Sequence, residues 1–219
     1  MSAVNREPEL VPVPSLQEFF RDSVDAAMAS NKVAVDAHTA HYVVNLLTMF
    51  VRSEALYDQM PPGPRLQPLA LMLADAAGAP SGDERNMALR RLGDVALFVA
   101  GFMAGCLDRS PVGINYYARM GGGAYHCLAV SLPSSTRGRA IAPVYAELSA
   151  RFVDLVDVLT EVRHVAGSSR DSDVAGSSRD SDILRLYDLW LTTGSERAAR
   201  LLRLLGIEPS RQDGSASEH

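Results

Sequence analysis

Lysine is almost missing from this chain: Lys32 is its single example, so the 21 basic residues are otherwise arginine. Guanidinium groups favour forked pairing with carboxylates. The arginine bias, with abundant Ala, Leu, Val and Gly, points to a GC-rich bacterial source. Cysteine is scarce as well. Cys106 and Cys127 are the two examples; they make no disulfide framework and both fall in the apolar centre of the sequence, so a reducing cytoplasm is the expected setting. Positive charge is not in excess. The formal net charge of -5 argues against a broad electrostatic footprint for nucleic acid or an anionic membrane.

Long apolar runs are lacking too. The longest, residues 95–107, is shorter than the roughly 20 residues of a spanning helix, and Asp94 and Asp108 bracket it. It reads as a buried core helix, and no membrane association is expected. The N-terminal residues lack the basic start and apolar core of a signal peptide, so export is not expected either. No alternation of apolar and polar residues lasts long enough for a sheet. Phosphate-loop, dinucleotide-binding, zinc-protease, serine-hydrolase, kinase and EF-hand patterns are all absent.

What is present is helical. The hydrophobic content of 47% over 219 residues suffices for one domain with a sizeable core. Residues 1–14 hold prolines and no helical period, and read as a flexible arm. Ser15 with Glu18 makes a capping box that opens a helix to about residue 29. Asp36 is the next N-cap, and Tyr42, Val43, Leu46, Leu47, Phe50 and Tyr57 form a stripe at spacings of three and four. Residues 60–64, rich in proline, end it. A short helix over 66–77 is apolar on almost every side, which predicts burial on more than one face.

Ser81 with Glu84 opens a long helix over 83–108, carrying Gly93, Gly101 and Gly105. Each interior glycine costs about 1 kcal/mol relative to alanine, so a close neighbour is expected at each. Ser110 and Pro111 precede a second helix over 112–132, with Tyr117, Gly121, Ala124, Tyr125, Leu128 and Leu132 on one stripe. The short connection predicts a central antiparallel hairpin with its glycines face to face. A helix over 140–163 follows, with Pro143 in its first turn and Val144, Leu148, Phe152, Leu155, Val156 and Leu159 as its stripe. Nine residues, 165–173, then recur as 174–182; two polar copies read as a duplicated mobile loop, not a solenoid. A C-terminal helix pair, 183–191 and 195–205, closes the domain, with Thr193 and Glu196 as its capping box. Residues 207–219 read as a disordered tail. The expected architecture is all-α: a single-domain multi-helix bundle over 15–206, with the central hairpin and the C-terminal pair.

Functional signals concentrate in residues 92–132. Asp94 stands inside an apolar helix, where an unpaired carboxylate would cost several kcal/mol. It therefore needs a partner: Arg90 one turn earlier, or Tyr116, Tyr117 or Arg119 from the next helix. An internal clamp is the expected role, with a catalytic acid or base as the rival. The glycines at 121–123 beside Tyr116, Tyr117 and Tyr125 are consistent with close packing or a small pocket. The ligand-binding set is thus Asp94, Tyr116, Tyr117, Gly121 and Tyr125, with no residue assigned to catalysis. His38 and His41 are one turn apart, and Cys106, His126 and Cys127 would meet across the hairpin; neither group has the three or four fixed ligands of a zinc site. No cofactor follows from these residues. Arg197, Arg200 and Arg203 form a basic face on the last helix, in the outline of a helix-turn-helix or as a surface for a carboxylate-rich partner. The leading expectation is a cytoplasmic, non-catalytic binding or regulatory module that self-associates as a homodimer or meets a protein partner. The rivals are a small-ligand, metal or haem-binding protein with its pocket beside the hairpin, and a nucleic-acid-binding regulator.

Overall fold

Side-chain caps account for where half of the described helices begin. The computed structural model describes residues 15–57, 67–103, 113–132, 136–167 and 194–210, with 183, 186, 187, 190 and 191. Among them are eight α-helices and no strand, an all-α multi-helix bundle. The arm at 1–14, the connection around Pro111, Gly105, Cys106, Thr193, the repeat from 168 onward and the tail beyond 210 lie outside the described residues.

Helix α1, Leu16–Asn31, starts on the full capping box: the Ser15 hydroxyl accepts from the Glu18 amide while Glu18 accepts from the Ser15 amide. Helix α2, Ala37–Tyr57, is capped by Asp36, whose carboxylate accepts from the His38 amide at 2.8 Å. Helix α3, Leu69–Ala77, buries Leu69, Met72 and Ala76. Leu71 and Leu73 are exposed, so this short helix is covered on one face, not several. Helix α4, Gly82–Gly101, has Ser81 as its N-cap, and every residue from Leu92 to Gly101 is buried. It ends earlier than expected, with residues 102–103 already in a turn.

Helix α5, Ile114–Ser131, runs against α4. Asn86 meets Ser131, Gly93 meets Tyr125, and Ala96 meets Gly121. The α5 partners descend as the α4 positions rise, so the pair is antiparallel. The glycines do not face one another. A Cβ on Gly93 would lie 2.6 Å from the Tyr125 ring, one on Gly121 would lie 2.6 Å from the Phe152 ring, and one on Gly101 would lie 2.5 Å from Cβ of Leu159. Each glycine makes room for a neighbouring side chain, and a large residue fills the space that a second glycine would have left empty.

The single helix expected over 140–163 is two, α6 (Thr136–Ala150) and α7 (Phe152–Gly167), divided at Arg151. Pro143 is interior to α6, not in its first turn. Both Pro143 and Arg139 are exposed, so water can satisfy the carbonyl that loses its helical donor. The first three residues of the repeat, 165–167, belong to α7 and not to a loop. Residues 183, 186, 187, 190 and 191 are helical, and α8, Glu196–Leu204, follows.

Helix α4 forms the centre, packed by α3, α5 and α7; α6 flanks α5, and α1 lies between α2 and α7. The α8 residues Ala198, Ala199 and Leu202 are buried but stand outside the main apolar cluster. Polar contacts hold that helix in place. No helix of the described residues is long and apolar enough to cross a membrane.

Candidate functional site

Asp94 sits mid-way along the buried segment of α4 and is 6% exposed. The α2 stripe delivers Tyr42 and the α5 stripe delivers Tyr125; both hydroxyls donate to the same Asp94 oxygen, Oδ1, at 2.6 and 2.8 Å. Arg90, one turn earlier on α4, places Nε 3.6 Å from Oδ2 and donates to the Tyr42 hydroxyl at 3.2 Å. Its guanidinium also lies over the Tyr42 ring, 5.5 Å from the centroid, a cation–π arrangement. Tyr145 of α6 stacks on Tyr125 at 5.8 Å. Three helices therefore meet at one carboxylate, with α6 stacked against the cluster through Tyr145.

Burial raises the Asp94 pKa, and the two tyrosine hydroxyls and Arg90 oppose that shift. Burial and then the Asp94 charge raise the pKa of both Tyr42 and Tyr125, keeping them protonated as donors. Tyr125 is fully buried and its ring occupies the space above Gly93. The cluster is closed and internally hydrogen-bonded, an arrangement that latches helices together.

Of the residues expected at a site, Asp94 and Tyr125 are in direct contact. Gly121 is on the same helix, buried against Phe152 and Ala96. Tyr116 and Tyr117 are half-buried in the first turn of α5 and pack edge-on against each other, with centroids 5.6 Å apart, away from Asp94. Tyr42 and Tyr145 are the members that sequence reasoning missed. The available signal was that a tyrosine on a core stripe needs a partner for its hydroxyl.

Metal-ligating groups are dispersed. His38 is exposed and hydrogen-bonded to Asp36 through Nδ1 at 2.8 Å. His41, His126 and Cys127 are exposed as well, which moves Cys127 from the expected apolar centre to the surface. Among the described residues, no three His, Cys, Asp or Glu side chains converge on a point.

A second feature is a surface groove. A cavity of about 440 Å³ lies where the C-terminal end of α1 meets α7 and α8, lined by Lys32, Arg151, Arg197, Arg200 and Arg203 against Asp154, Asp157 and Glu196. The chain matches no known protein family, no curated protein and no solved structure. The groove's chemistry must therefore be read from its own residues.

Arg200 fastens α8 to α1, donating to the Ser30 carbonyl at 2.5 Å and to Oδ1 of Asn31 at 2.9 Å. Asn31 in turn donates to Glu161 of α7 at 2.7 Å. Ser195 caps α8 through the Ala198 amide and donates to Asp157 at 2.6 Å. The N-cap of α8 is thus Ser195, which serves the helix amide and the α7 carboxylate together; Thr193, the expected cap, lies outside the described residues. Burial raises Asp157 to about 6, against the Ser195 hydrogen bond and the Arg197 charge. Arg151 pairs with Asp154 at 3.2 Å, and Arg203 lies 3.7 Å from Glu208.

Proposed function

We propose that this chain is a non-catalytic binding or regulatory module of a bacterial cytoplasm, with the α1–α7–α8 groove as its ligand-facing surface and self-association or a protein partner as its output. One observation carries the reading. The buried carboxylate that could have served as an acid or base, Asp94, is closed off and committed to Tyr42 and Tyr125. A catalytic group must reach substrate, whereas the groove is open and bears an excess of basic side chains on a chain of net charge -5. Its dimensions fall within the range of small-ligand sites.

Native mass spectrometry of the full chain, isolated from its own source, tests this by reporting stoichiometry and bound mass together. The expected result is a dimer or a hetero-complex, with no covalent adduct on the chain. Substrate turnover that disappears in Asp94→Asn would overturn the reading. A bound metal or haem would favour a cofactor pocket beside the α4–α5 hairpin, and mobility shifts of nucleic acid lost on substituting Arg197 and Arg200 would favour a nucleic-acid regulator; either result also replaces it.

A further inference from the structure

We infer that the groove binds the oxyanion of a small molecule, a phosphate or carboxylate group, and that Lys32 is its principal ligand. The inference rests on the reading of the groove as the binding surface and names what enters it.

The chain's only lysine occupies an unusual backbone position. Lys32 has φ 56, and among the described residues it is the only non-glycine residue with positive φ. The α1 terminus explains the geometry: the Lys32 amide donates to Ala29 and the Val33 amide to Met28, the paired bonds of a Schellman turn. The left-handed residue of that turn is usually glycine, because a Cβ is disfavoured there. An ammonium-bearing side chain has instead been put where the backbone prefers none. Strain of this kind gathers at ligand sites, and the strained residue lines the groove.

Three of the four arginines that line the groove are already engaged. Arg200 is committed to α1, Arg151 to Asp154, and Arg203 lies beside Glu208. Lys32 is exposed and takes part in no ion pair among the described residues. It is a flexible point charge with three donors, suited to an oxyanion held between it and Arg197, which lines the same groove. The volume of about 440 Å³ matches a small ligand.

The single lysine supplies its own reporter. Reductive methylation of the full chain with ¹³C-formaldehyde keeps the charge and labels one side chain, Lys32, at the groove; its signal is told from that of the α-amino group by its absence in Lys32→Gly. Inorganic pyrophosphate and citrate are the two probes, with sodium chloride at matched ionic strength as control. A saturable shift of the Lys32 signal with pyrophosphate alone assigns a phosphate ligand, and with citrate alone a carboxylate ligand; both support the inference. Lys32→Gly relieves the left-handed strain, so it should melt at a higher temperature than the parent while its affinity, read by calorimetry, falls at least about tenfold, the equivalent of one charge-assisted hydrogen bond. Shifts no larger than those from chloride, or undiminished binding by a folded Lys32→Gly protein, would overturn the inference. Turnover dependent on Asp94 would instead overturn the non-catalytic reading and leave the anion site standing.

Discussion

Asp94 joins three helices at one carboxylate oxygen, so its removal is felt far beyond its own helix. Asp94→Ala leaves the buried hydroxyl of Tyr125 and the half-buried one of Tyr42 without their acceptor, and each orphaned group costs about 1–3 kcal/mol. We expect a loss of about 3 kcal/mol, equivalent to a fall of roughly 10 °C in melting temperature for a chain of this size. Thermal denaturation of the single variant, and of a triple variant with Tyr42→Phe and Tyr125→Phe, checks it. The triple variant should lose less than the sum of its parts, because the orphaned hydroxyls are gone. Additive losses, or an unchanged melting curve in Asp94→Ala, would contradict the latch. The need for a partner was legible in the sequence, since a carboxylate in an apolar helix requires one. Arg90 was legible too, being one turn away. Tyr42 and Tyr125 stand 52 and 31 residues from Asp94, and no local rule selects them over Tyr116 or Tyr117.

At the scale of the helix, α5 contains a run of three glycines whose roles differ although their neighbours in sequence are alike. Gly121 is packed against Phe152 and Ala96, whereas Gly123 has nothing within 4 Å of its would-be Cβ. Across the interface, Gly93 is tight against Tyr125. Gly123→Ala should therefore stabilise by about 1 kcal/mol through helix propensity alone. Gly93→Ala should destabilise by about 1–3 kcal/mol, because the Tyr125 ring must move and it carries the bond to Asp94. Urea denaturation midpoints of the two variants test the pair: equal effects, or effects of reversed sign, would mean that the α4–α5 packing is wrong. Sequence reasoning expected close packing at these glycines, which holds at Gly93 and Gly121 and fails at Gly123. It could not say which of them meets a ring, since that depends on the rotation of each helix about its axis. The division at Arg151 was hidden for a related reason: the apolar stripe runs on through Leu148, Phe152 and Leu155, all buried, so the periodicity gives no sign of a break.

For the molecule as a whole, the docking of α8 introduces a dependence on pH. Asp157 is buried at that junction and its pKa rises from 3.8 to about 6. The folded state thus holds the proton more tightly than the unfolded chain. Its stabilising contribution is fully present below about pH 3.8 and is lost as the pH rises through about 6. At about 1.4 kcal/mol per pH unit, the interval is worth roughly 3 kcal/mol. Asn at this position keeps an acceptor for Ser195 but no ionisable group. The stability difference between wild type and Asp157→Asn should therefore favour wild type increasingly as the pH is lowered from 7.5 to 4, measured by denaturant midpoints across that window. A constant difference would show that Asp157 does not carry the effect.

By itself the sequence determined the class of fold, the helix starts at Ser15, Asp36 and Ser81, and the buried stripes of α2, α4, α5 and α7. These depend on interactions within about one or two turns of helix, where caps and the 3.6-residue period act. Tertiary structure alone decided which tyrosines reach Asp94, which glycines receive a side chain, and that Lys32, Asp157 and Arg197 line one groove. Those pairings join residues dozens of positions apart, and they are set by how side chains of particular volume let the helices approach and turn.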